Sequence, residues 1–225
     1  MLDLIFLVIS NIYIDLIHIN WEALATIVAI LACSITLSNL REEQKLSNKQ
    51  VLFDKRLNIS ASIFNLTNCE KQVESIFTNK SNDTIDWNIA VDYLTRTSEL
   101  QKILNAYDNP KDTDAKKKLL VEIQKLDETG YKSKLVFPNP TGEKLSIYFS
   151  LYGELLLSLY NYKIARYSLD ELLNEKSIFQ SPEAVIEAQN NVKDKYIEIN
   201  NKWKALQKAS KEIKLEEIDA ITKLA

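Results

Sequence analysis

Few residues in this chain have the types and spacing that chemistry needs. The one histidine, His18, stands among leucines and isoleucines near the start of the sequence. The two cysteines, Cys33 and Cys69, are far apart, and neither lies in a Cys/His metal spacing. Three scattered glycines, Gly130, Gly142 and Gly153, build no phosphate-binding loop. Glu122, Asp127 and Glu128 read as carboxylates on a helix surface, without partners at catalytic spacing. The run Lys116-Lys117-Lys118 is balanced by Asp112 and Asp114 and reads as a solvated helix face. These residues suit recognition better than catalysis. The expectation is no enzyme, no cofactor, no metal and no small-molecule substrate.

The elements that position these residues begin with a membrane anchor. Ala23 to Leu40 is a run of 18 residues without a charge, opened by Trp21-Glu22 and closed by Arg41-Glu42-Glu43. At about 1.5 Å per residue such a helix reaches roughly 27 Å, close to the roughly 30 Å of a hydrocarbon core. Trp21 stands where an interfacial aromatic belongs, with Arg41 and Lys45 at the other end. Small and hydroxyl side chains (Ala25, Thr26, Ala29, Ser34) are those membrane helices use to pack. The predicted span is 20–40.

No Lys or Arg precedes the run, whereas Arg41, Lys45, Lys49, Lys55 and Arg56 follow it. By the positive-inside rule the N-terminus lies outside and residues 41–225 lie in the cytoplasm. The chain has 31 acids and 28 bases; setting aside Asp3, Asp15 and Glu22 of the first 40 residues leaves 28 of each. A neutral, mixed surface offers no basic stripe for nucleic acid. The sequons at Asn58, Asn65 and Asn82 read as accidents of an Asn-rich composition. Residues 1–19 are apolar but broken by Asp3, Ser10, Asn11, Asp15 and His18, which share one arc of a helix. The reading is an amphipathic helix on the outer membrane surface, with a second span or a partner-bound helix as alternatives.

Breakers divide the rest into long helical blocks. The first continues from the span to about Thr78, with Leu52, Ile59, Leu66 and Val73 at a spacing of seven and Ile63 and Phe77 beside them. A second is expected over Thr84–Tyr107, with Ile85, Ile89, Tyr93, Leu100 and Leu104 inward. A third covers Asp112–Lys134, capped by Asp112 or Thr113. Phe137-Pro138-Asn139-Pro140-Thr141 forms a corner, with Thr141 able to cap a fourth helix reaching about Asn174. Leu145, Tyr148, Phe149, Tyr152, Leu155, Leu156, Leu159 and Tyr160 make that fourth helix the centre of a bundle. Ser181-Pro182-Glu183 starts a last helix predicted to run unbroken to Ala225. Its seam is Val192, Tyr196, Ile199, Trp203, Leu206, Ser210, Ile213, Glu217, Ala220 and Leu224. The seam is expected to close on the first long helix of the same chain; Val192, Tyr196, Ile199, Trp203, Leu206 and Ile213 are also the candidate interaction residues.

Trp21-Glu22 opening a short span, followed by Gln50-Val51-Leu52-Phe53-Asp54-Lys55-Arg56-Leu57, resembles a layout in small uncharacterised bacterial membrane proteins. There a single span runs into a Gln-x-x-Phe-x-x-Arg-Leu helix. The resemblance covers about residues 20–60. It implies an accessory membrane protein of bacteria, in some cases carried on a mobile element, and no activity.

The fold class read from the sequence is all-α: an N-terminal transmembrane helix followed by a cytoplasmic antiparallel helical bundle with long coiled-coil-like helices. The expected function is a non-enzymatic interaction protein of a bacterial inner membrane, contacting membrane lipids and binding a protein partner or itself. The alternative is a membrane-acting effector, of a phage-defence or toxin kind, whose Thr26, Ser34, Thr36 and Ser38 would line an oligomeric lesion.

Overall fold

The computed structural model of the chain describes residues 21–78, 86–174 and 181–223. The helix expected over 1–19, the turn at 79–83 and Leu224 lie outside them. The described residues are helical, without strands, as the sequence pattern requires. They form α1 (Trp21–Thr78), α2 (Trp87–Leu94), a 3₁₀ turn (Leu100–Ile103), α3 (Leu104–Asp108), α4 (Thr113–Val136), α5 (Thr141–Asn174), α6 (Pro182–Glu212) and α7 (Leu215–Lys223). The chain divides into two units, 1–51 and 52–225. In the first, the described part is a helix whose side chains from Ala25 to Val51 are all exposed.

The second unit is built around α5. All eight residues expected to face inward from this helix are buried, from Leu145 to Tyr160. Each large side chain fully buried adds about 1.5–3 kcal/mol of transfer free energy. α4 lies antiparallel to α5. Gly142 of α5 faces Ser133 and Lys134 of α4, Gly130 of α4 faces Ser146, and Gly153 faces Ile123. α6 is antiparallel on another side: Glu154 pairs with Lys202, Ser158 bonds Glu198, and Tyr162 packs on Tyr196. The C-terminal part of α1 joins the core through Ile59, Leu66 and Val73 of the row spaced by seven and through Ile63 beside it, while Leu52 of the same row is only half-buried.

Side-chain chemistry sets some helix starts and not others. Asp112 caps α4, its carboxylate accepting the N–H groups of Asp114 (2.9 Å) and Ala115 (3.2 Å). Thr141 is the first residue of α5 rather than its cap; the Pro140 carbonyl accepts the Lys144 N–H. Ser181 precedes α6, yet its hydroxyl bonds the Glu183 carboxylate rather than a backbone N–H.

Two expected helices are divided. The block predicted over 84–107 breaks at Thr95–Glu99, between α2 and the 3₁₀ turn. Thr95 turns its hydroxyl onto the Val91 carbonyl and Thr97 accepts the Leu100 N–H, so side chains of this Thr-Arg-Thr-Ser stretch compete with the ladder. The inward face is Trp87, Ala90, Val91 and Leu94, and Ile89 points outward. The last helix ends at Glu212. Ile213 is extended and packs on the core, and α7 restarts at Leu215. The break shifts the buried stripe by one residue: Ile218 and Thr222 are buried, while Glu217 and Ala220 are exposed.

Candidate functional site

In the first unit, α1 opens at Trp21 and carries an apolar stretch long enough to cross a membrane, with none of that stretch buried. Ser34 donates to the Ile30 carbonyl and Thr36 to the Ala32 carbonyl, both at 2.8 Å. Hydroxyls bonded within their own helix present no unsatisfied donor to lipid. Arg41 and Lys45 follow on the same helix at a spacing of four, which places them on one face. Both are exposed.

In the second unit, Arg56 reads from sequence as one of the bases that set the topology. The structure gives it a further task. From α1 its half-buried guanidinium donates to the carbonyls of Val136 (2.7 Å) and Ile221 (3.0 Å). Val136 ends α4 and Ile221 lies in the last turn of α7. One cation thus satisfies orphan carbonyls at the C-terminal ends of two helices, where the helix dipole also favours positive charge. The neighbouring Ser60 and Thr222 hydroxyls bond each other at 3.0 Å.

The chemically distinctive group is Glu70. It is only 4% exposed, and the Tyr148 hydroxyl of α5 donates to its Oε2 at 3.1 Å. Burial pushes its carboxyl up to about 7. Hydrogen bonds from Ser210 and Tyr148 oppose the rise, Glu74 adds to it, and Lys71 opposes it. Glu70 borders a cleft of about 230 Å³ that Thr67, Ser210, Lys211, Ile213 and Leu215 also line, where α6 breaks to α7. The group can take up or release a proton near neutral pH. Among the described residues no three His, Cys, Asp or Glu side chains gather to hold a metal.

Glu70 is not among the sequence-predicted site residues, although a signal for it is present. Ile59, Ile63, Leu66, Glu70 and Val73 alternate steps of four and three, so a carboxylate sits on the apolar row. Glu122, read as a surface carboxylate, is buried instead, with Lys125 Nζ 2.8 Å from its Oε1. Both border a polar cleft of about 290 Å³ between α1, the Thr97–Glu99 break and α4.

The candidate interaction seam on α6 is turned inward. Ile199, Trp203 and Leu206 are buried, and Val192, Tyr196 and Ile213 are half-buried. Trp203 meets Trp87 edge-on at 6.0 Å. The aromatic groups of α5 and its neighbours are likewise committed. Tyr152 donates to the Leu94 carbonyl, Tyr107 to that of Leu156 and Tyr160 to that of Pro110. Burial raises the Cys69 thiol above its ordinary value, which keeps it a protonated, unreactive group.

The chain matches no protein-family model, no curated protein and no solved structure.

Proposed function

We propose that this protein is a membrane-anchored, non-enzymatic helical interaction protein. In this reading the span at 20–40 crosses a bacterial inner membrane with the N-terminus outside. The bundle lies in the cytoplasm and binds a protein partner or itself. One observation carries the proposal: a single helix, α1, has an apolar first part with no buried residue and a second part that supplies Ile59, Ile63, Leu66 and Val73 to a core. An 18-residue apolar stretch left wholly uncovered needs a non-aqueous solvent. The inward commitment of the Tyr107, Tyr148, Tyr152 and Tyr160 hydroxyls and of the α6 seam supports a scaffold over a catalyst and moves the partner surface to outward side chains. Ile186 and Ile197 of α6 are such residues, 55% and 48% exposed.

The resemblance of residues 20–60 to accessory bacterial membrane proteins agrees with this reading. The self-bonded hydroxyls of Ser34 and Thr36 favour an anchor over a polar lesion.

The test is membrane extraction with topology and sizing. The full chain expressed in bacteria should resist alkaline extraction, and Leu31→Arg should release it or lower its membrane fraction severalfold. A cysteine placed at Asn48 should be protected from an impermeant thiol reagent in intact cells and labelled after permeabilisation. Sizing and crosslinking should find an assembly with itself or a partner. Extraction of the wild-type chain, labelling at residue 48 from outside, or only an inert monomer would each sink the part it addresses. Rapid depolarisation of cells on expression would favour the effector reading instead.

A further inference from the structure

The second unit carries a groove of about 420 Å³ between α1 and α4, within the range of small-molecule sites. Its apolar wall is Ile59, Leu135 and Val136. Lys55 and Lys132 stand at its rim, both exposed. Its remaining residues, Asn58, Ser62 and Thr129, are neutral hydrogen-bonding groups. No carboxylate lines it, and neither lysine is ion-paired among the described residues, although the chain outside 1–40 is neutral overall. Leu135 is 67% exposed, and Tyr131, four residues earlier on the same helix face, is 63% exposed. An apolar trough with two unpaired cations and no acid is complementary to an anion with an apolar body.

We infer that this groove binds an acidic membrane lipid, with its phosphate on Lys55 and Lys132 and an acyl chain along Ile59, Leu135 and Val136. The bilayer is the source argued here because the chain supplies a tether: Lys55 follows Leu40 by 15 residues in sequence. Two exposed lysines paired with one anionic headgroup give a preference of at most about thirtyfold over a zwitterionic one. The source of the lipid rests on the anchoring reading; the chemistry of the groove does not.

The experiment keeps those apart. The full chain in neutral detergent micelles is titrated calorimetrically with short-chain phosphatidylglycerol, the matching phosphatidylcholine and inorganic phosphate. Expected is a clear preference, up to about thirtyfold, for phosphatidylglycerol over phosphatidylcholine, with phosphate alone far weaker. Lys55→Gln with Lys132→Gln should remove the preference, and Leu135→Asp should weaken both lipids. Lys204→Gln with Lys208→Gln, a control pair on α6, should change nothing. Unchanged helicity and melting confirm that the variants fold. Equal binding of the two lipids, a preference that survives loss of Lys55 and Lys132, or phosphate binding as tightly as phosphatidylglycerol overturns the proposal. So does a dimer in lipid-free micelles that Leu135→Asp dissolves, which would give the groove to a second copy. Flotation of the same protein with liposomes tests the anchor alone; failure to float removes the bilayer as the source and leaves the titration standing as the test of the groove.

Discussion

Replacing Glu70 with glutamine should make the bundle more stable in alkaline solution and leave it nearly unchanged in acid. The folded carboxyl titrates at about 7, against an ordinary value of 4.5. The native state therefore binds the proton more tightly than the unfolded chain. The stability this proton contributes is fully present below about 4.5, falls as pH rises, and is gone above about 7. The difference between those two values corresponds to about 3 kcal/mol at about 1.4 kcal/mol per unit. Glutamine keeps the shape and hydrogen bonding of the protonated acid without the charge. At pH 8 Glu70→Gln should gain up to about 3 kcal/mol, or roughly 6–12 °C in Tm for a chain of this size. At pH 4.5 the gain should be close to zero. The groups facing Glu70 are Tyr148 and Ser210, with Lys71 and Glu74 on its own helix and Lys211 on the cleft wall. Burial holds Tyr148 well above its ordinary value, so its hydroxyl keeps its proton across this range. Unfolding of the full chain in detergent is followed by tryptophan fluorescence, for which the Trp87–Trp203 contact is a core reporter. Subtracting the two pH profiles cancels Glu171 and Glu198, whose carboxyls ion pairs hold below their ordinary value and which titrate with the opposite sign. A constant difference between wild type and Glu70→Gln from pH 5 to 8 would refute the reasoning, as would destabilisation at pH 8.

Two other perturbations test the packing. Arg56→Lys keeps the charge but loses the planar fork that reaches Val136 and Ile221, and should cost about 1–3 kcal/mol in denaturant unfolding; an unchanged midpoint would show that water serves those carbonyls equally well. At Gly142 an added methyl would sit 2.8 Å from the Ser133 carbonyl oxygen and 3.0 Å from Lys134 Cα and the Phe137 oxygen, all rigid backbone. Gly142→Ala should therefore cost about 1–3 kcal/mol or more. Gly153→Ala meets only Ile123, its Cγ2 methyl at 3.3 Å and its carbonyl oxygen at an ordinary 3.9 Å, and should stay within about 1 kcal/mol of wild type, since alanine also favours the helix. Equal effects at the two glycines would argue against the close α4–α5 approach.

The features legible in the sequence were those written as periodic rows or as single-residue punctuation. The face of α5 was readable because eight large apolar residues recur at helical spacing, and all eight are buried. The row Ile59, Ile63, Leu66 and Val73 and the Asp112 cap were readable for the same reasons. The breaks at Thr95–Glu99 and Ile213 were not, because neither contains glycine or proline. At Ile213 the helix yields to tertiary packing: an extended residue seats its side chain on the core and rotates α7 so that Ile218 faces in. The site was less legible still. Glu70, Glu122 and Arg56 look like ordinary surface charges until partners distant in sequence enclose them, and Arg56 and Ile221 are separated by 165 positions.

That separation has a consequence for how the protein is made. The apolar row of α1 is covered by elements far later in the chain: α5 supplies Tyr148 opposite Glu70, and α6 and α7 supply Gln207, Thr222 and Ile221 opposite Glu74, Ser60 and Arg56. Synthesis at about 5–20 residues per second places roughly 7–30 s between the emergence of α1 and that of its last partners. During that interval Ile59, Ile63, Leu66 and Val73 have no intramolecular cover on that side. A bundle closed by such long-range contacts folds late and slowly for an all-helical protein, since the loop entropy is lost before the contacts that offset it can form. The newborn chain thus passes through a stage in which its first long helix is complete and its core is not, and that is when chaperones, or another copy on a neighbouring ribosome, have access to the row.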